Sequence, residues 1–190
     1  MNGKNIEITD KTKLLGVIIS NDLKWEDNTD LLIKKANARM QLLRKCASFT
    51  KDKNELKNIY ILFVRSILEQ SCVVWHSSIN QENSESLERV QKSAIKIILQ
   101  EEYIEYPDGL LKLNLETLSE RRKTLCQNFA VETAKHESLK HLFPTNKNAT
   151  HCETRQPEKF HVNMAYTERY KSSAVPQMQR LLNDLHNDEE

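Results

Sequence analysis

The sequence predicts a mainly α-helical chain: an N-terminal β-hairpin, then a four- to five-helix bundle, then an irregular tail. Three observations carry that expectation. Only 3 Gly and 4 Pro interrupt 190 residues, and scarcity of both breakers favours long helices over a fold with many tight turns. Apolar residues recur at helical spacing in successive stretches from Asn28 to His136. Alternating and β-branched apolar residues are concentrated before Ser20. With 38% hydrophobic and 29% charged residues, the chain has enough apolar material for one domain, or one domain with a tail.

At the N-terminus, Ile6 and Ile8 alternate with Glu7 and Thr9, and Asp10-Lys11-Thr12 suits a turn. Leu14 through Ile19 then reads as a largely buried strand. A hairpin of this kind is marginal alone and needs a helix or sheet to lean on. Asp27, Asn28 or Thr29 can cap a helix from Asn28 to Phe49, with Leu32, Ala36, Met40 and Leu43 on its inner line. Asp52 and Glu55 have capping-box spacing and open a second helix reaching Cys72, apolar on more than one face. A third runs from Ser84 to Leu99. Pro107 opens a short one through Leu111. Thr117-Leu118-Ser119-Glu120 is a capping box and starts a helix reaching His136, with Leu118, Leu125, Phe129 and Ala130 on its inner face. Residues 145–163 are polar and aperiodic and read as a loop, and a last short helix spans Pro176 to Leu185. The expected organisation is a hairpin over 1–25, a helical domain over 26–143 and a loose tail over 144–190.

Bulk properties exclude several functions. A net charge of +1 gives no global reason for nucleic-acid or membrane binding. No apolar run is long enough to span a bilayer, and Met1–Asp10 lacks the pattern of a signal peptide. Cys46, Cys72, Cys126 and Cys152 are far apart and form no CxxC pair, which suits reduced thiols. The expected setting is intracellular, nuclear or cytoplasmic, with no membrane partner. There is no GxSxG elbow, no HExxH and no glycine-rich phosphate loop. A two-metal polymerase site needs aspartates on adjacent strands, typically an Asp-Asp pair, and the sequence has none. The chain is therefore expected to bind rather than catalyse, without a cofactor. His136, His141, His151, Cys152 and His161 lack zinc-ligand spacing. Cys72 and His76, four apart with Trp75 between them, read as core packing.

The weightiest electrostatic feature is local. Lys34, Lys35, Arg39, Arg44, Lys45, Lys51, Lys53, Lys57 and Arg65 fall in one helical hairpin. Arg89, Lys92 and Lys96 continue the series, and Arg121-Arg122-Lys123 follows in the long helix. A solvated helix face is the ordinary explanation; tracking of phosphates is the functional one. Tyr60, Trp25 and Trp75 could stack bases, although aromatic side chains are more often buried.

The ordered series of segments resembles a known family. Lys13 through Trp25 resembles the "K-x-LGV-x-I-x-x-x-L-x-W" stretch that follows the catalytic palm of non-LTR (LINE-type) retrotransposon reverse transcriptases. Lys34 to Asn37 and Leu42 to Lys45 resemble the next helix. Tyr60, Arg65 to Glu69 and Val74 to His76 resemble the "Y-x-x-x-x-R-S-x-L-E-Y-x-x-x-V-W" block. Leu87 to Lys92 with Ala94, Leu115 to Arg122, Phe143-Pro144 and Thr167 to Pro176 resemble the later blocks. The resemblance implies the thumb of an RNA-directed DNA polymerase, a fragment without its catalytic palm. It implies that Leu15 and Gly16 form the primer grip, and that Lys34, Lys35, Arg39, Arg44 and Lys45 contact phosphates of an RNA–DNA template–primer duplex. Mg2+ would bind only the palm. Gln70 replaces the family's Tyr, and the tail histidines do not match a zinc knuckle. The rival expectation is a co-opted protein-interaction module or a relic, self-associating through the exposed hairpin.

Overall fold

The computed structural model describes residues 9–145, 160–162 and 164–188. The described residues are mainly helical, and an N-terminal two-stranded antiparallel hairpin precedes the helices. The chain divides into two compact units. Met1–Leu68 and Ile79–Gln100 form the first, and Glu69–Ser78 and Glu101–Glu190 form the second. No helix among the described residues is long and apolar enough to cross a membrane.

In the first unit, β1 (Lys11–Leu14) pairs with β2 (Val17–Ser20), Lys11 opposite Ser20 and Leu14 opposite Val17. This corrects the position of the turn. Lys11 and Thr12 are strand residues, and Leu15-Gly16 is the turn rather than the strand centre. Both turn residues have positive φ, 49° and 89°. That is the signature of the I′ turn, whose twist matches the flanking strands and whose second position glycine fills at no steric cost. Ile6 and Ile8 lie outside the described residues. Val17 is buried, the Ile18 N–H donates to Asn28 Oδ1 at 3.2 Å, and the Lys11 ammonium pairs with Asp27 at 2.8 Å. These contacts lean the hairpin on α1 (Glu26–Phe49).

The inner line of α1 is the expected one, Leu32, Ala36, Met40 and Leu43, all buried. It packs on α5 (Gln81–Leu99), whose Leu87, Val90, Ala94 and Ile98 are buried. That helix starts at Gln81, ahead of the expected Ser84, because the Asn80 side chain caps it by accepting from the Asn83 N–H at 2.7 Å.

The second helical stretch is α2 (Lys53–Tyr60), a π turn (Ile61–Arg65) and α3 (Ser66–Leu68) in unbroken succession. Asp52 caps it, accepting from the Asn54 and Glu55 N–H groups. Its buried residues, Leu56, Tyr60, Val64 and Leu68, are spaced strictly by four. An α-helix turns by about 100° per residue, so three such steps drift about 120° around it. The wider π turn removes that drift and holds all four on the core side. Ser66 N–H reaches back to Ile61 O, and the Ser66 hydroxyl satisfies the bypassed Leu62 carbonyl at 2.6 Å. The Tyr60 hydroxyl donates to Gln91 Oε1 in the core. The stretch ends at Leu68, short of the expected Cys72, since Ser71 takes a left-handed backbone with φ 52° and the chain turns there.

The second unit holds α4 (Cys72–Trp75), a 3-10 turn at His76–Ser78, α6 (Tyr106–Leu113), α7 (Leu118–Lys135), α8 (Glu168–Lys171) and α9 (Ala174–Asp188). The predicted capping box closes: Thr117 Oγ1 accepts from the Glu120 N–H at 3.2 Å, and Glu120 Oε2 accepts from the Thr117 N–H at 3.3 Å. The inner face of α7 differs from expectation. Leu118, Arg122, Cys126 and Ala130 are buried, Leu125 is half-buried and Phe129 is exposed. Burial follows successive partners. α7 packs on α4 and also on α9, and a line spaced by four drifts about 40° per turn, which leaves Phe129 outside. Ala130 joins Phe143, Met178 and Leu182 in one apolar cluster. Asn183 clamps Phe160 into its edge, accepting from its N–H at 2.8 Å and donating to its carbonyl at 3.0 Å. The expected C-terminal helix is present and longer, with Pro176 tolerated in its first turn.

Deleting exposed Leu62 would restore a plain α-helix in which the four core residues still share a face. It is expected to cost less stability than Leu68→Ala, for which the loss is about 2–5 kcal/mol. Urea unfolding of the two variants checks the ranking, and a deletion more damaging than the truncation would refute this account of the π turn.

Candidate functional site

The five basic residues expected to meet phosphate all lie on α1. Lys34, Arg39, Arg44 and Lys45 are exposed and Lys35 is half-buried. They do not form one stripe. Lys34 and Lys45 are roughly three turns apart on the side opposite the buried line, Lys35 and Arg39 flank one side, and Arg44 flanks the other. Among the described residues none of the five forms an ion pair. Leu15 and Gly16 stand at the hairpin turn of the same unit, with Leu15 91% exposed. Trp25, Tyr60 and Trp75 are buried, so base stacking is closed to them, whereas Phe49, at the end of α1, is 90% exposed.

Two cations of the sequence-based basic series are not on a solvated face. Arg121 pairs with Glu69 at 3.3 Å. Arg122 is 0% exposed. Its guanidinium lies over the ring of Trp75, 5.7 Å from the centroid, and its Nε donates to His76 Nδ1 at 3.3 Å. Trp75 is fixed in turn by its indole N–H, which donates to Gln70 O at 3.0 Å. A desolvated cation–π contact contributes about 2 kcal/mol. Burial, and then the neighbouring Arg122 charge, lowers the His76 pKa from 6.5 to about 4. The neutral imidazole can therefore accept the guanidinium N–H. Cys126 follows Arg122 by one turn, with its Sγ 4.0 Å from Cys72 O.

Sequence reasoning missed this cluster because three adjacent basic letters read as surface. The available signal was the spacing of Arg122, four residues from both Leu118 and Cys126 on a helix with a clear N-terminus. Cys72 is core packing as expected; His76 is half-buried, accepts from Arg122 and lines a cavity. Among the described residues no group of three or more histidines, cysteines and carboxylates could hold a metal. His136, His141 and His161 are exposed there; His151 and Cys152 lie outside the described residues. Compared with protein-family models, curated proteins and solved structures, the chain matches none of them.

Arg122→Ala would leave Trp75 and His76 facing a void, and a cost of about 2–5 kcal/mol is expected by denaturant titration. Arg122→Met, which keeps the packing volume, should lose less. A histidine neutral in the fold but protonated when unfolded makes stability complete above pH 6.5, and that stability is lost as pH falls toward about 4. With His76's solvent exposure allowed for, the loss is on the order of 2 kcal/mol. His76→Asn retains an acceptor and should flatten this acid limb; a limb unchanged in the variant would assign it to other groups.

Proposed function

We propose that the chain is the thumb portion of a non-LTR retrotransposon reverse transcriptase and grips an RNA–DNA duplex through its sugar–phosphate backbones. The observation that carries this reading is the α1 surface. Five cations stand on one helix, without carboxylate partners among the described residues, in the same unit as the Leu15-Gly16 turn with its exposed Leu15. Their spread over the solvent side suits a groove-spanning grip better than one point contact. Such contacts set position and affinity without reading sequence. The order of sequence segments resembling the family's thumb supports the same reading. In it the chain contributes grip and no chemistry, and Mg2+ belongs to the palm of the whole enzyme. There is no Asp-Asp pair among the 190 residues.

A second reading rests on a different observation. Leu14 and Leu15 at the hairpin, and Leu62 and Phe63 at the π turn, are exposed apolar side chains. They suit a protein-interaction module that self-associates or binds a partner. Self-association that survives charge reversal at Lys34 and Lys35, read by sedimentation, would favour it.

The grip is tested by fluorescence anisotropy with a labelled RNA–DNA duplex. Five phosphate contacts predict an affinity loss on the order of 500-fold between about 50 and 200 mM salt. Lys34→Ala with Lys45→Ala should lower the salt slope by about two. No binding at low salt by chain with an intact helical circular dichroism spectrum would refute the proposal.

A further inference from the structure

A cavity of about 180 Å3 in the second unit is walled by Val73, His76, Ser77, Lys123, Cys126 and Met178, among others. A water takes about 30 Å3 of liquid volume, so a small hydroperoxide fits. Cys126 is in the wall and Cys72 is not. Cys72 lies behind it on α4, buried, in an element packed directly on α7. The Cys126 Sγ lies 4.0 Å from the Cys72 carbonyl oxygen, which brings the two residues together. Two cysteines 54 positions apart in sequence thus form a pair, one in the wall of a small, mainly apolar cavity and one buried behind it.

We propose that Cys126 and Cys72 form a peroxide-reactive dithiol site, with Cys126 as the nucleophile facing the cavity, Cys72 as the resolving thiol, and a small hydroperoxide as the substrate. The surroundings are consistent with these roles. The hydrogen bond from Cys72 and the charge of Arg122 hold the Cys126 thiol below its ordinary range, while the bond to Cys126 and burial push Cys72 above its own. Reactive thiols favour electropositive settings, and Arg122 supplies one beside Cys126, which is buried but lines the cavity. Lys123 and His76 in the wall add donors to orient the peroxide.

The chemistry balances without a further reactant. Cys126 thiolate attacks the near oxygen of the hydroperoxide, the O–O bond breaks, and the leaving alkoxide or hydroxide takes up a proton. Cys126 is now a sulfenic acid. Cys72 sulfur attacks it, the S–S bond forms, and the sulfenic oxygen leaves as water with the Cys72 proton. Two thiols are oxidised to one disulfide, and one hydroperoxide is reduced to an alcohol, or to water.

The test uses the full chain, reduced, desalted and exposed to hydrogen peroxide, then alkylated under native conditions and mapped by mass spectrometry. A Cys72–Cys126 linked peptide, lighter by two hydrogens, is expected to accumulate. Oxidation at Cys126 should be at least about tenfold faster than at Cys46, although Cys46 is the less buried thiol. Cys72→Ser should stop the reaction at a dimedone-trappable Cys126 sulfenic acid, and Cys126→Ser should remove both products. The wild-type map is decisive by itself if either variant unfolds. No Cys72–Cys126 link, or Cys126 oxidised no faster than Cys46, would overturn the proposal.

Discussion

A guanidinium without access to water organises the second unit. A buried charge is costly unless its surroundings answer it, and Arg122 is answered by three features at once: the face of Trp75, the Nδ1 of His76 and the close packing of α4 on α7. Each imposes a further requirement. Trp75 must present its face, so its N–H is engaged by Gln70 O. His76 must stay neutral, which burial and Arg122 together enforce. Cys126, one turn along, inherits a positive neighbour. One buried side chain therefore ties together a tryptophan ring, a neutral imidazole and a thiol.

The first unit is organised differently. Its core is apolar apart from the Tyr60–Gln91 hydrogen bond and the polar groups of Asn28 and Thr29 near the hairpin. A π turn aligns four core residues that an ideal α-helix would spread around its surface. The lysines and arginines of α1 remain outside that core. Charge is therefore used in opposite ways: inward and compensated in one unit, outward and uncompensated by carboxylates on α1 in the other.

Much of the fold was legible because its cues are local. The hairpin, the helix line Leu32-Ala36-Met40-Leu43 and the Thr117 capping box depend on residues within a few positions of one another. The errors arose where partners are distant or a local choice is nearly balanced. Leu14 through Ile19 is apolar enough for a continuous strand, but Gly16 makes a left-handed turn cheap and divides it in two. Phe129 looks like core until α7 changes partner along its length. Arg122 looks like surface because the residue that covers it, Trp75, lies in another segment. The α1 cations were legible as a cluster, but their distribution around the helix becomes clear only once the buried line is known.

The interruption of the first unit by Glu69–Ser78 bears on how the chain is made. A ribosome delivers residues from the N-terminus at about 5–20 per second. By the time Gln100 has emerged, every element of the first unit has been synthesised, while Trp75 and Cys72 have been made without the helix that covers them. Their complement, Arg122 and Cys126, is still to come. For that interval an indole and a thiol that are buried in the folded chain wait without their cover. Slow translation would prolong the interval in which the 69–78 segment lacks its helical cover.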